Sequence, residues 1–274
     1  MKEVCVITGG GSGMGLAVAR YMGHNKIVIL SGRTMGKLEK AVEKLTAEGI
    51  EAYAHTCDTS SRESVAALAD FALTKGAIRN VINAAGLSPT MAKPEQLLRV
   101  NALGTVYVNQ EFSRRMESGG VIVDISSNSA YVLPKFLISY KLYALADTDE
   151  ELFIKKFVVR SNLPKGDYQK SGLAYAFSKN FVVWYASKCA CEYGKKGIRV
   201  CSISPGLIDT DMGNAEKSEG GSMLKYTAQG RMGKSDELGY CIATVADERN
   251  GYLAGVDVLV DGGATTTKKY GFIK

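Results

Sequence analysis

A doubly wound α/β fold is the class this sequence predicts, and three observations carry it. Short apolar, β-branched runs recur between stretches of helical periodicity, from Val4-Cys5-Val6-Ile7 to Val256-Asp257-Val258-Leu259-Val260, as strands buried on both faces of a parallel sheet require. The first run leads through a glycine-rich turn into a helical pattern, which is how a βαβ unit opens. The 274 residues show no repeat, low-complexity stretch or linker, and 46% are hydrophobic. That composition suits one core in a single domain over 1–274.

Strands are expected near 3–8, 26–31, 51–56, 78–84, 120–126, 198–204 and 255–260, about seven in all, with helices on both faces of the sheet. Helical patterns run through Leu16, Ala19, Arg20 and Met22, then over Lys37–Glu48, Ser64–Lys75, Gln96–Met116 and Leu173–Tyr193. The turn Thr8-Gly9-Gly10-Gly11-Ser12-Gly13-Met14-Gly15 reads TGxxxGxG. Between a strand and a helix it aims backbone N–H groups and the positive end of a helix dipole at a pyrophosphate, and glycine lets the phosphates approach. Gly9, Gly11, Ser12, Gly13, Met14 and Gly15 are therefore the expected dinucleotide cradle of a Rossmann-type sheet. A glycine-rich hairpin would instead join two alternating strands.

The end of the second strand selects the dinucleotide. An acid there bonds the ribose 2′-OH of NAD, whereas a 2′-phosphate wants a cation. Ile29-Leu30-Ser31-Gly32-Arg33-Thr34 has Gly32 where the acid would stand and Arg33 beside it. An arginine fork with the hydroxyls of Ser31 and Thr34 favours NADP(H) over NAD(H). An ordinary surface cation, or a stack on adenine, is the other reading of Arg33.

Tyr175 and Lys179, four residues apart in Tyr175-Ala176-Phe177-Ser178-Lys179, share one face of a helix. A free phenol, with a pKa near ~10, is a poor acid or base at neutral pH, and a neighbouring ammonium favours its phenolate. The pair is a candidate general acid/base, although a solvated surface pair has the same spacing.

These motifs together resemble the short-chain dehydrogenase/reductase (SDR) family, nearly end to end. Further matches are Cys57-Asp58-Thr59-Ser60 after the third strand, Asn83-Ala84-Ala85-Gly86 after the fourth and Val100-Asn101-Ala102 on the next helix. Val121-Ile122-Val123-Asp124-Ile125-Ser126-Ser127, Pro205-Gly206-Leu207-Ile208-Asp209-Thr210-Asp211-Met212 and the closing Val256 to Gly263 segment follow in the family's order. The resemblance implies an NAD(P)-dependent oxidoreductase with Asn101, Ser127, Tyr175 and Lys179 as its catalytic set. It implies that Asp58 and Thr59 lie at the adenine, Asn83, Ala84, Ala85 and Gly86 along the cofactor, and Pro205, Gly206, Ile208, Thr210 and Met212 around nicotinamide. Lys179 would also hold the nicotinamide ribose and Asn101 anchor a water. Ser126 rivals Ser127 for the serine role. Tyr185 with Lys188 is a second tyrosine-lysine pair, but its spacing fails the motif.

In the family pattern the serine precedes the tyrosine by little more than a dozen positions, whereas Ser127 and Tyr175 are 48 apart. The surplus, about 130–170, holds the apolar run from Phe136 to Ala146. It continues in an amphipathic pattern beginning at Thr148-Asp149-Glu150-Glu151, a capping-box signature. So many apolar residues need a partner: a substrate, neighbouring helices or another subunit. One reading makes Tyr131–Tyr143 the lid of a pocket for large ring-shaped ketones, supported by a Thr148–Val159 helix. The other makes the segment a structural cover or subunit contact. The insertion resembles that of bacterial 3α-hydroxysteroid dehydrogenase/carbonyl reductases, which points to a hydroxysteroid or bile acid as substrate. A 3-oxoacyl thioester, sugar or small ketone fits the same core motifs, and a non-catalytic dinucleotide sensor or an epimerase-type enzyme are the other classes.

Composition limits the partners. A net charge of +6 suits an anionic cofactor, and no basic stripe interleaved with aromatics suggests nucleic acid. No apolar run reaches the ~18 residues of a membrane span. Six cysteines without a CxxC and only two histidines argue for reduced thiols in a cytoplasmic protein and against a metal site. The first strand so near Met1 leaves no secretory leader expected. A small-molecule carbonyl or alcohol substrate and a homodimer or homotetramer complete the expectation.

Overall fold

Alternation along the first strand divides the interior in two: Val4 and Val6 join one apolar cluster, Cys5 and Ile7 the other. The computed structural model describes residues 2–272, with only the backbone path at 217–222; Met1, Ile273 and Lys274, the ends of the expected 1–274 domain, lie outside the described residues. The elements are β1 (Glu3–Thr8), α1 (Gly13–Met22), β2 (Ile27–Gly32), α2 (Met35–Ala47), β3 (Ala52–Thr56), α3 (Arg62–Lys75) and β4 (Ala77–Asn83). Then come α4 (Pro94–Leu98), α5 (Gly104–Ser113), β5 (Val121–Ile125), α6 (Tyr140–Tyr143), α7 (Glu150–Ser161), α8 (Asp167–Tyr193) and β6 (Arg199–Pro205). The chain closes with β7 (Ile208–Asp209), α9 (Asp211–Gly220), β8 (Gly233–Lys234), α10 (Ser235–Ala246), β9 (Asp257–Val260) and α11 (Ala264–Tyr270).

Seven strands form one parallel sheet in the order β3-β2-β1-β4-β5-β6-β9, and β7 and β8 make a separate short ladder. All seven expected strands are there. Helices α1, α2 and α10 cover one face, and α3, α5 and α8 the other. The strand order reverses between β1 and β4, so the crevice at their carboxyl ends is the natural ligand site of such a sheet.

Three expectations need correction. The helix expected over Gln96–Met116 is interrupted by a π-helical turn at Arg99–Leu103, a local widening often found at functional sites. Helix α8 begins at Asp167, six residues before Leu173. Helix α7 is capped by Asp149, whose carboxylate accepts from the Leu152 N–H at 2.9 Å, so the capping-box start at Thr148 is one residue too early.

The segment over 130–170 buries its largest rings on its own chain and leaves Val132, Phe136 and Tyr140 exposed. Tyr143, Phe153 and Phe157 have no exposure. Their rings meet Phe177 and Phe181 of α8 at centroid distances of 5.2–5.4 Å. Polar ties close its rim: Glu151 pairs with Arg99 at 2.9 Å, and the Tyr185 hydroxyl donates to Asp147 at 3.0 Å. Its partners are neighbouring helices.

Candidate active site

A cleft of about 290 Å³ opens at the carboxyl ends of β4, β5 and β6. Ser127 and Tyr175 line it, with Met14 from the glycine turn and Pro205, Gly206, Ile208, Thr210 and Met212 from the segment after β6. Among the described residues the wall includes nothing from 130–167. The Tyr131–Tyr143 stretch expected as a lid is engaged elsewhere: the Tyr143 hydroxyl donates to Asn180 at 2.9 Å, and the Tyr131 hydroxyl donates to Asp257.

The serine pair separates by chain alternation. The buried Ser126 hydroxyl donates to the Lys179 carbonyl at 2.7 Å, which ties β5 to α8. Ser127 caps the following 3-10 turn, accepting from the Ser129 N–H at 3.2 Å, and remains in the cleft wall. Tyr185 is sealed in the aromatic cluster, away from the cleft.

Lys179 lies one helical turn after Tyr175, its ammonium 5.7 Å from the phenol ring centroid. It donates to the Ile125 carbonyl at 2.8 Å. Burial lowers its pKa to about 8, against the attraction of Asp124. Tyr175 is not lowered by the lysine as the sequence suggests. Burial raises it, the Ser127 hydroxyl opposes that rise, and the charge of Glu216 adds to it. The ammonium is itself desolvated and engaged by a carbonyl, so burial dominates at the phenol. Asp124 has no exposure, and burial pushes it up to about 6 despite amide donors from Asn83 and Asn109 at 2.9–3.0 Å.

Asn101 sits in the π-helical turn with its side chain fully used. It accepts from the Leu87 N–H at 2.8 Å and donates to the Leu87 carbonyl at 3.0 Å and to Ser178 at 3.3 Å. A Cβ at Gly86 would lie 3.2 Å from its Oδ1 and 3.5 Å from the Lys179 ammonium. Asn101 therefore braces the loop after β4 against α8.

The glycine turn fits a dinucleotide. Gly9 has φ +67°, and a Cβ there would stand 2.9 Å from Ala84 and Ala85 backbone atoms; one on Gly15 would strike the Gly9 carbonyl. A side chain at either position would collide with this backbone and force the turn out of shape. Ser12 is the N-cap of α1 without a side-chain cap bond, and Gly11 packs near Leu38. Beyond β2, Arg33 and Asp58 line a second open hollow with Ser60. Ser60 holds the Asp58 carboxyl below its ordinary range through its hydroxyl and N–H, at 2.7 and 2.9 Å, with Arg33 adding attraction. Arg33 and Thr34 are exposed, and Arg33 forms no salt bridge among the described residues.

Three of the residues expected at the cofactor have buried or engaged side chains. Ser31 has no exposure. Thr59 is buried against Gly104. The Asn83 side chain is committed to Thr8, Thr105 and Asp124. These residues shape the groove from beneath.

Tyr168, Gly172, Ser88 and Glu216 also line the cleft and escaped sequence reasoning. Tyr168, Gly172 and Tyr175 follow a 4-then-3 spacing, one helix face, which was the available signal for the first two.

Residues 3–141 match the family model for short chain dehydrogenases, and 161–265 match that for enoyl-(acyl carrier protein) reductase. The chain is 29% identical to a short-chain dehydrogenase/reductase of Alternaria brassicicola, covering 96% of each chain. It is 26% identical to cyclohexanol dehydrogenase of an Acinetobacter species, covering 97% of this chain and 96% of the relative. A short chain dehydrogenase from Burkholderia cenocepacia, solved in complex with NADP, superposes with a TM-score of 0.74 at 22% identity over 95% of this chain and 96% of that one.

Proposed function

The chain belongs to the short-chain dehydrogenase/reductase family of oxidoreductases, and on that premise we propose that it interconverts a secondary alcohol and a ketone with NADP(H), on a bulky hydrophobic substrate such as a hydroxysteroid or another cyclic alcohol and its ketone. The observation that carries the reading is the meeting of Ser127 and Tyr175 in one cleft wall, with Lys179 and Asn101 supporting them from the buried side.

When bound, the nicotinamide supplies or accepts a hydride. Ser127 donates a hydrogen bond to the substrate oxygen and stabilises charge developing there. Tyr175, held protonated by burial, gives its proton to that oxygen in the reductive direction and takes it back in the oxidative one. Lys179 and Asn101 hold the tyrosine's helix and the loop after β4 in register, and the lysine's charge is set by its buried place. Gly9, Gly13 and Gly15 cradle the pyrophosphate.

The open guanidinium of Arg33, with Gly32 in place of an acid, supports NADP(H), and the NADP complex of the Burkholderia relative agrees with it. The cyclohexanol dehydrogenase relative supports a cyclic alcohol. Six unpaired cysteines support a cytoplasmic place, and exposed Val132, Phe136 and Tyr140 support a homo-oligomer. Among the described residues no helix is long and apolar enough to cross a membrane.

The test is a panel of ketones and secondary alcohols followed by NADPH and NADH absorbance. Turnover of cyclic ketones is expected; no turnover of any member, with cofactor binding intact, overturns the reading.

A further inference from the structure

We infer that Glu216 sets the charge preference of the substrate cleft, admitting uncharged ketones and alcohols and rejecting those that carry a carboxylate or phosphate. The inference rests on the alcohol-ketone reading of the same cleft and narrows its substrate class.

Glu216 projects from α9 into the cleft wall. One carboxylate oxygen accepts from the Thr90 hydroxyl at 2.6 Å and the Thr90 N–H at 3.2 Å, and the other from the Tyr168 hydroxyl at 3.3 Å. The carboxylate is thus held by α8 and by the loop after β4. None of these donors is a cation, and Glu216 forms no salt bridge among the described residues, so hydrogen bonds from neutral groups fix its position.

The rest of the described wall is apolar or neutral polar, with Ser, Thr and Tyr hydroxyls and the Asn128 amide. Among the described lining residues Glu216 is the only Asp, Glu, Lys, Arg or His. Lys179 is buried and engaged with the Ile125 carbonyl. Among the described lining residues a ligand carboxylate would meet one anion and no cation, a repulsive element that discriminates by charge. A neutral hydroxyketone could instead donate to the spare acceptor sites of the Glu216 carboxylate. Bile acids leave the substrate class on this ground, and uncharged steroids and cyclic ketones stay.

The test compares 4-methylcyclohexanone with 4-oxocyclohexanecarboxylate in the NADPH-loaded enzyme, by kcat/KM and by calorimetric binding. The native enzyme is expected to favour the neutral ketone by about tenfold or more, as like-charge juxtaposition predicts. Glu216→Gln keeps an acceptor for Thr90 but removes the charge, so the preference should shrink by about tenfold, through a gain on the carboxylate. Thr90→Val, which keeps the charge, should retain the preference. Equal binding of the two ketones by the native enzyme, or an undiminished preference in Glu216→Gln, overturns the inference. Charge-selective binding without turnover of either ketone supports it and counts against the cyclic-ketone reading alone.

Discussion

Lys179 donates its ammonium to the Ile125 carbonyl at 2.8 Å, two residues before Ser127, and one hydrogen bond thereby ties the helix of the tyrosine to the strand of the serine. Ser126 doubles the tie by donating to the Lys179 carbonyl at 2.7 Å. The distance between the two proposed reacting hydroxyls is set by contacts that leave both of them in the cleft.

Tyr175→Phe removes the transferable proton and little else. Its kcat should fall by about 10²- to 10⁴-fold, with NADPH affinity and thermal midpoint near native. Near-native kcat on any accepted ketone would refute the acid/base role.

Lys179 makes the pH profile informative. Burial brings its pKa to about 8 against the pull of Asp124. If the charged lysine supports reduction, kcat/KM should decline above about pH 8. Asp124→Asn removes a negative charge that favours the ammonium, so the decline should move to lower pH. The stability sign is separate: between about 8 and the ordinary lysine value of 10.5 the unfolded chain holds a proton the folded one has lost. This group's contribution to stability therefore rises with pH across that window. A descending limb unmoved in Asp124→Asn would remove the aspartate from the account.

The fold was legible because buried parallel strands are short apolar runs and the glycine turn and tyrosine-lysine pair are local in sequence. Contacts between distant segments were less legible. Glu216, Thr90 and Tyr168 meet from three separate elements, and nothing near any one of them announces the others. Ser31 shows another limit: it stands at the right sequence position for a phosphate, but its side chain has no exposure. The insertion was readable as apolar, yet its partner was not, because Phe177 and Phe181 on α8 look like ordinary core positions until Phe153 and Phe157 meet them.

Arg33→Ala with Gly32→Asp should turn cofactor preference from NADPH toward NADH, since a phosphate partner is lost and an acid repels the 2′-phosphate while accepting from a 2′-OH. The ratio of kcat/KM for the two cofactors reads it. A native enzyme already faster with NADH would overturn the assignment.

The inserted segment should behave as core and not as a lid. Phe157 has no exposure and packs on Phe153, Phe177 and Tyr143, so Phe157→Ala should lower unfolding free energy by about 3–5 kcal/mol in urea denaturation. Phe136 is 85% exposed, and Phe136→Ser should stay within about 0.5 kcal/mol of native. Because neither side chain lines the cleft, the ratio of kcat/KM for a steroid-sized ketone to that for cyclohexanone should be unchanged in both folded variants. A selective loss on the large ketone in Phe136→Ser, at native stability, would return this segment to the substrate site.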